Sequence, residues 1–193
     1  MEKLDRSKLW GLEAYAMERP AFRQQVIAHK RHRRVRLNAH AALYFEDFLT
    51  MKYQVQEMLR VERIFEPAEI EAEVEAYNPL IPDGSNWKAT FMIEYPDVEE
   101  RRRALEQLKD IERQVWAQVG DGDRIVAIAN EDLDRSNEDK TAAVHFLRFE
   151  LSADQIGALR QAMRLRFGID HPAMTCAVEP DGAVRDSLLS DLD

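Results

Sequence analysis

The spacing of apolar residues in this 193-residue chain is mostly helical up to Tyr77 and mostly alternating from Trp87 onward, and that change constrains the fold most. Leu4, Leu9, Leu12 and Tyr15 recur at roughly helical spacing, which predicts a short helix over Leu4–Met17 started by Asp5 or Ser7. Arg19-Pro20 is expected to break it, with Pro20 opening a second helix striped by Phe22, Val26 and Ile27. Val35 and Leu37 then alternate with arginines, Asn38-Ala39-His40 can turn, and Leu43–Phe45 looks extended, so a hairpin is expected. Phe48–Phe65 is the most regular helical stretch, and Pro67–Tyr77 starts another with proline early. Two prolines and a glycine mark residues 78–86 as a loop.

From Trp87 to Tyr95, Ala89, Phe91, Ile93 and Tyr95 alternate with Thr90, Met92 and Glu94, the pattern of a half-buried strand. Asp97 caps a charged helix to about Asp110. Val115–Val119, a glycine turn and Ile125–Ala129 read as a second hairpin, and Ala143–Leu151 as a longer strand. Ser152 with Gln155 forms a capping box for a helix to about Arg166, which Gly168 would end. Met174–Val178 reads as a last short strand, and residues 181–193 as an acidic tail or terminal helix. Helices followed by hairpin-linked strands give an α+β fold, with a mostly antiparallel sheet, packed helices and an N-terminal helical cap over residues 1–34. One domain is expected for 193 residues.

Composition excludes several classes. The single cysteine, Cys176, cannot form an internal disulfide or a cysteine-only metal site. The N-terminal residues lack the apolar core of a signal peptide, and no run approaches the length of a membrane span, so the cytoplasm is expected. The net charge of −9 is unevenly spread: residues 1–60 carry 12 Lys/Arg against 7 Asp/Glu, and residues 61–193 carry 15 against 29. Much of the positive end is the run His29–Arg36. It reads either as a helix face bridging to the acidic remainder of the chain or as an anion site built from Lys30, Arg31, Arg33, Arg34 and Arg36. No aromatics interleave it and no nucleic-acid motif accompanies it, so a nucleic-acid partner is disfavoured. His29 and His32 share a helical side, but the surrounding positive charge opposes a metal cation.

Two residues break their pattern. At 3.6 residues per turn, Phe48, Met51, Val55, Met58, Leu59 and Phe65 share one arc, and Glu62 falls inside it. A carboxylate on a buried face needs a partner or a proton, because a lone buried charge costs several kcal/mol. Glu62 is therefore a candidate metal ligand or general base, or one half of a structural pair with an arginine such as Arg148. On the 143–151 strand, His145 shares its face with Leu147 and Phe149, while Arg148 points with Phe146 to the other side. His145 reads as a hydrogen-bonded core histidine, or as a partner of Glu62 in an acid/base or metal site. Glu57 and Arg60 flank the Glu62 face and, with Arg148, complete the candidate ligand-binding set. Glu69, Glu71, Glu73 and Glu75 stand at period two, as metal-holding carboxylates do on the strands of tunnel-type triphosphate hydrolases. Ala72 and Ala76 are poor strand residues, so the helical reading is preferred. Nucleotide-binding, serine-hydrolase, zincin and CxxC motifs are all missing, as are repeated E-x-x-H pairs.

The strings Tyr53–Arg63, Tyr77–Pro82, Ala89–Glu94 and Asp139–Phe149, taken together, resemble a bacterial family of chains of about this length that is classed only as a domain of unknown function. The resemblance runs from Leu4 to about Val178. Members are often encoded beside rubrerythrin and a heterodisulfide-reductase-like iron–sulfur protein, which implies an accessory role near peroxide or redox defence. The resemblance supplies no catalytic residues and no cofactor. Three functions follow as expectations: an accessory protein binding a redox partner protein or small ligand, an enzyme using Glu62 with His145, and an anion or nucleic-acid binder using residues 29–36.

Overall fold

In the computed structural model, which describes residues 2–131 and 140–193, the chain forms two antiparallel sheets with helices packed around them. Asp139 of the family-like strings lies outside the described residues. The elements run α1 (Leu12–Lys30), β1 (Arg34–Arg36), β2 (Ala41–Glu46), α2 (Phe48–Glu62), α3 (Pro67–Tyr77), β3 (Asn86–Ile93), α4 (Val98–Gln107), β4 (Val115–Val119), β5 (Arg124–Val126), β6 (Ile128–Ala129), β7 (Val144–Glu150), α5 (Ala153–Arg160), β8 (Leu165–His171), β9 (Met174–Val178) and α6 (Gly182–Leu189). The first sheet has the order β1-β2-β3-β7-β6 and the second β5-β4-β8-β9. No helix among the described residues is long and apolar enough to cross a membrane.

Alternation decides which side of each strand is buried. Trp87, Ala89, Phe91 and Ile93 of β3 and His145, Leu147 and Phe149 of β7 are buried, while Lys88, Thr90, Met92, Phe146 and Arg148 are only partly covered. The buried set meets the second sheet, where Phe167 of β8 lies 5.1 Å from Phe45, 5.7 Å from Trp87 and 5.9 Å from Phe149, ring centre to ring centre. Such tilted aromatic contacts stabilise beyond the area they bury. The helices carry separate cores: Met51, Val55, Leu59, Val74 and Ile81 in one, and Tyr15, Phe22 and Val26 in another.

Several expectations hold. The first hairpin forms, and the second forms as β4 with β5, although its expected strand Ile125–Ala129 is split and β6 pairs with β7 in the other sheet. Pro67 stands in the first turn of a helix, Asp97 caps α4 through Glu100 N–H, and Ser152 and Gln155 make the capping box. Others are corrected. Leu4–Met17 and the segment after Pro20 are not two helices; α1 runs unbroken through Pro20. Proline removes the hydrogen bond to the carbonyl four residues earlier, that of Ala16, and both residues are exposed, so water can satisfy the carbonyl. Gly168 does not end a helix. It sits mid-strand in β8, where a Cβ would collide with the Trp116 ring and Cys176 O. Of the two readings of residues 181–193, the terminal helix holds, as α6, and the acidic tail does not, since Val184, Leu188, Leu192 and Asp191 are buried.

Two ionic contacts fasten these layers. Arg33, 2% exposed, donates to both oxygens of Asp191 (3.1 and 2.6 Å), to Ser187 O (3.1 Å) and to Glu46 O (2.9 Å). Its Nε is 3.6 Å from Asp47, the residue that caps α2 and accepts a hydrogen bond from His29. On the other side of α2, Glu57 accepts two hydrogen bonds from Arg19 (2.7 and 2.9 Å), one from Tyr15 Oη (2.8 Å) and two from Arg60. The Arg19 guanidinium chiefly holds the Glu57 carboxyl at about 2.

Removing one partner of a buried pair strands the other charge. Arg33→Ala should therefore cost about 3–5 kcal/mol in urea unfolding at neutral pH, and an unchanged midpoint would show that α6 is held by its apolar face alone. Glu57 has its folded pKa below the ordinary carboxylate value of 4.5, so its contribution is complete above that value and disappears as pH falls towards 2. Thermal melts of Glu57→Gln should show lower stability at pH 7 and a shallower loss across that acid window than the parent.

Candidate functional site

The structure does not bring Glu62, His145 and Arg148 together. Glu62 is exposed and makes no ion pair or hydrogen bond among the described residues. This corrects the expectation that it is buried. Its angle around α2 is that of the apolar stripe, but it lies in the last turn, where Arg63 turns left-handed and the N–H groups of Arg63 and Ile64 both close on Leu59 O. A wheel gives the angle around a helix and not the depth along it.

His145 is fully buried on the inner side of β7. Its Nε2 lies 2.9 Å from Thr141 Oγ1 and 3.0 Å from Ala142 O, and its Nδ1 lies 3.0 Å from Asn130 Nδ2. Thr141 donates to the buried Glu112 carboxylate, which lies 3.8 Å from Nε2. These contacts make His145 a hydrogen-bonded residue of the sandwich core, on the opposite side of β7 from Arg148.

The other candidates are engaged within the chain. Glu57 and Arg60 pair with each other, and Arg19 covers both Glu57 oxygens. Of the basic run, Arg33 is buried against Asp191, which withdraws it from any external anion. Arg34 and Arg36 both reach Glu94 (3.3 and 3.4 Å), and Arg34 also stacks over Tyr44. Lys30 lies over the Tyr53 ring, and Arg31 is exposed. The run thus bridges largely to the acidic part of the same chain.

Arg148 leads to a large concavity. A groove of about 750 Å³ opens between the outer side of β3 and β7 and the helical layer. Met58, Ala76, Tyr77, Leu80 and Phe146 give it apolar walls, and Glu73, Lys88, Glu131 and Arg148 supply its charge. Its size is that of a small-molecule site, and its few polar groups set in apolar walls are the usual chemistry of one.

The charged groups differ in how far they are satisfied. Arg148 donates through Nε and Nη2 to both oxygens of Glu131 (2.8 and 2.7 Å), and through Nη1 to Glu150 (2.5 Å). The hydrogen bond to Glu131 chiefly raises the Arg148 pKa, and the same bond lowers that of Glu131. Burial works upward on Glu150, but hydrogen bonds from Ser85, Arg148 and Asn86 outweigh it and lower its carboxyl. Lys88 has no such partner. It stands directly across from Arg148 in the β3–β7 register, and its Nζ makes no hydrogen bond or ion pair among the described residues. Burial chiefly lowers its pKa; the Asp83 charge opposes this, Arg148 adds to it, and Glu131 opposes more weakly.

Sequence reasoning missed Lys88, because one lysine at the start of a strand's polar side is unremarkable. Its meaning depends on the register that sets it opposite Arg148, and on the helices that cover it. Among the described residues, no group of three His, Cys, Asp or Glu side chains is placed to hold a metal ion.

No curated protein matches the chain. A crystal structure of a novel protein of unknown function from Burkholderia pseudomallei is similar over 100% of both chains, with 47% identity and a TM-score of 0.94. The family described as "Protein of unknown function (DUF3501)" matches residues 3–192. From its second residue pair to its buried C-terminal turn, then, the chain belongs to the DUF3501 family.

Proposed function

We propose that this protein is an accessory binding protein whose groove takes a small amphipathic ligand with an apolar body and one anionic or polar end. The observation that carries this reading is Lys88, a partly buried ammonium with no ion pair among the described residues, set against the apolar walls of a groove of about 750 Å³ that Glu73, Glu131 and Arg148 also line. A buried charge without a partner is costly, and a ligand carboxylate would supply the partner. The pairing of Arg33, Arg34 and Arg36 within the chain favours this reading over nucleic-acid binding through residues 29–36. The exposure of Glu62 and its separation from His145 favour it over an acid/base enzyme built on those two residues.

The setting we propose is the one the family resemblance implies, a cytoplasmic, rubrerythrin-linked redox or peroxide-defence system, in which ligand binding would accompany docking to a redox partner protein. The support for this setting is the residue strings of the first section.

Titration calorimetry with octanoate tests the reading. Octanoate should bind, octanol should bind more weakly, and Lys88→Met should lower octanoate affinity at least about tenfold while leaving octanol unchanged, since a hydrogen bond to a charged group is worth about 1.5–3 kcal/mol. Octanoate affinity unchanged by Lys88→Met, or no binding of either compound, would overturn it.

A further inference from the structure

We propose that Lys88 is a carbonyl-capture site, forming a reversible imine with an aldehyde whose apolar tail lies along the groove. This rests on the groove-binding reading and adds to it a covalent chemistry and a ligand class.

The first observation is the contrast between Lys88 and the other described lysines. Lys3 donates to Asn78 O and Ile81 O, Lys8 pairs with Glu2 and Asp5, and Lys30 and Lys52 lie over the rings of Tyr53 and Trp10. Lys109 and Lys140 also have partners. Lys88 alone among the described lysines has none, although it is partly buried. A lysine amine becomes nucleophilic when it is neutral, and two things favour the neutral form: removal from water and a neighbouring cation. Both act on Lys88, because the helical layer covers it and Arg148 is its cross-strand neighbour on β7; the acids that oppose are Glu46, its cross-strand neighbour on β2, and Asp83 and Glu131, and burial outweighs them.

The second observation is how Arg148 is held. Glu131 and Glu150 occupy its guanidinium, so it cannot turn away, and those carboxylates bond to Arg148 rather than to Lys88. A carboxylate closing on Lys88 would lock it as ammonium; here Glu131 and Glu150 bond to Arg148, Glu46 accepts from Thr90, Asp83 accepts from Asn86, and none forms an ion pair with Lys88. The third is the shape of the groove, whose Met58, Leu80 and Phe146 walls suit an alkyl chain.

The chemistry balances without an oxidant or reductant. The Nζ lone pair attacks the carbonyl carbon, the C=O π pair moves to oxygen, and a proton passes from nitrogen to that oxygen to give a carbinolamine. Protonation of the hydroxyl then lets the C–O bond break, water leaves, and the nitrogen lone pair forms the C=N bond of an iminium, which gives up its N–H proton to leave the imine. Glu73 and Tyr77 line the same groove and carry groups able to relay these protons. Hydrolysis reverses every step and releases the aldehyde.

Trapping tests the proposal. The full chain is incubated with octanal and cyanoborohydride, which reduces an imine to a stable secondary amine, and labelled peptides are quantified by mass spectrometry. Lys88 should be alkylated several-fold faster than any other lysine. Excess octanoate should suppress labelling at Lys88 alone. Lys88→Arg, which keeps the positive charge, should lose the fast phase while retaining octanoate binding. Labelling of Lys88 no faster than that of Lys3 or Lys52, with octanoate still bound, would overturn the imine and leave the binding reading standing. Loss of both octanoate binding and labelling would overturn the two together.

Discussion

Arg33 is the point through which the parts of this molecule are tied. It follows α1, sits beside the carbonyls that end β2, approaches the Asp47 cap of α2, and grips Asp191 beyond α6 with both ends of its guanidinium. A planar fork with five donors can satisfy several acceptors at once in a buried place, which a lysine cannot do. Trp87 adds to the same junction by donating its indole N–H to Leu188 O (2.8 Å). The C-terminal segment is thereby part of the core, although its acidic composition suggested a loose end.

With the sheets fixed in this way, the outer side of β3 and β7 is left facing the helical layer across a groove. Most charges near that groove are satisfied within the chain: Arg148 by Glu131 and Glu150, and Glu150 also by Ser85 and Asn86. Lys88 and Glu73 are the exceptions: both line the groove, and neither makes a hydrogen bond or ion pair among the described residues. Burying an ammonium costs free energy that a partner offsets, which is why both functional proposals start from Lys88.

The net charge of −9 conceals a positive first third, and the structure shows how much of that excess is used internally. Arg33 is neutralised by Asp191, and Arg34 and Arg36 by Glu94, all of them acids of the negative remainder. What was legible in the run His29–Arg36 was that it must meet negative charge; which charge it meets was set by residues 58 to 158 positions away.

The sequence by itself determined the local structure that depends on near neighbours. The alternation of β3 and β7, the caps at Asp97 and Ser152, and the helix after Pro67 were all readable, because each rests on contacts a few residues apart. Leu165, Phe167, Ile169 and His171 also alternate, so β8 carried a signal, but Gly168 looked like a helix end until the Trp116 ring was seen to need its space. Tertiary structure alone decided the rest. It placed Glu62 past the covered part of α2, buried His145 among Thr141, Glu112 and Asn130, and set Lys88 opposite Arg148 under the helical layer. The reason is physical: periodicity fixes which way a side chain points, whereas its burial and its partner depend on what other segments pack against it.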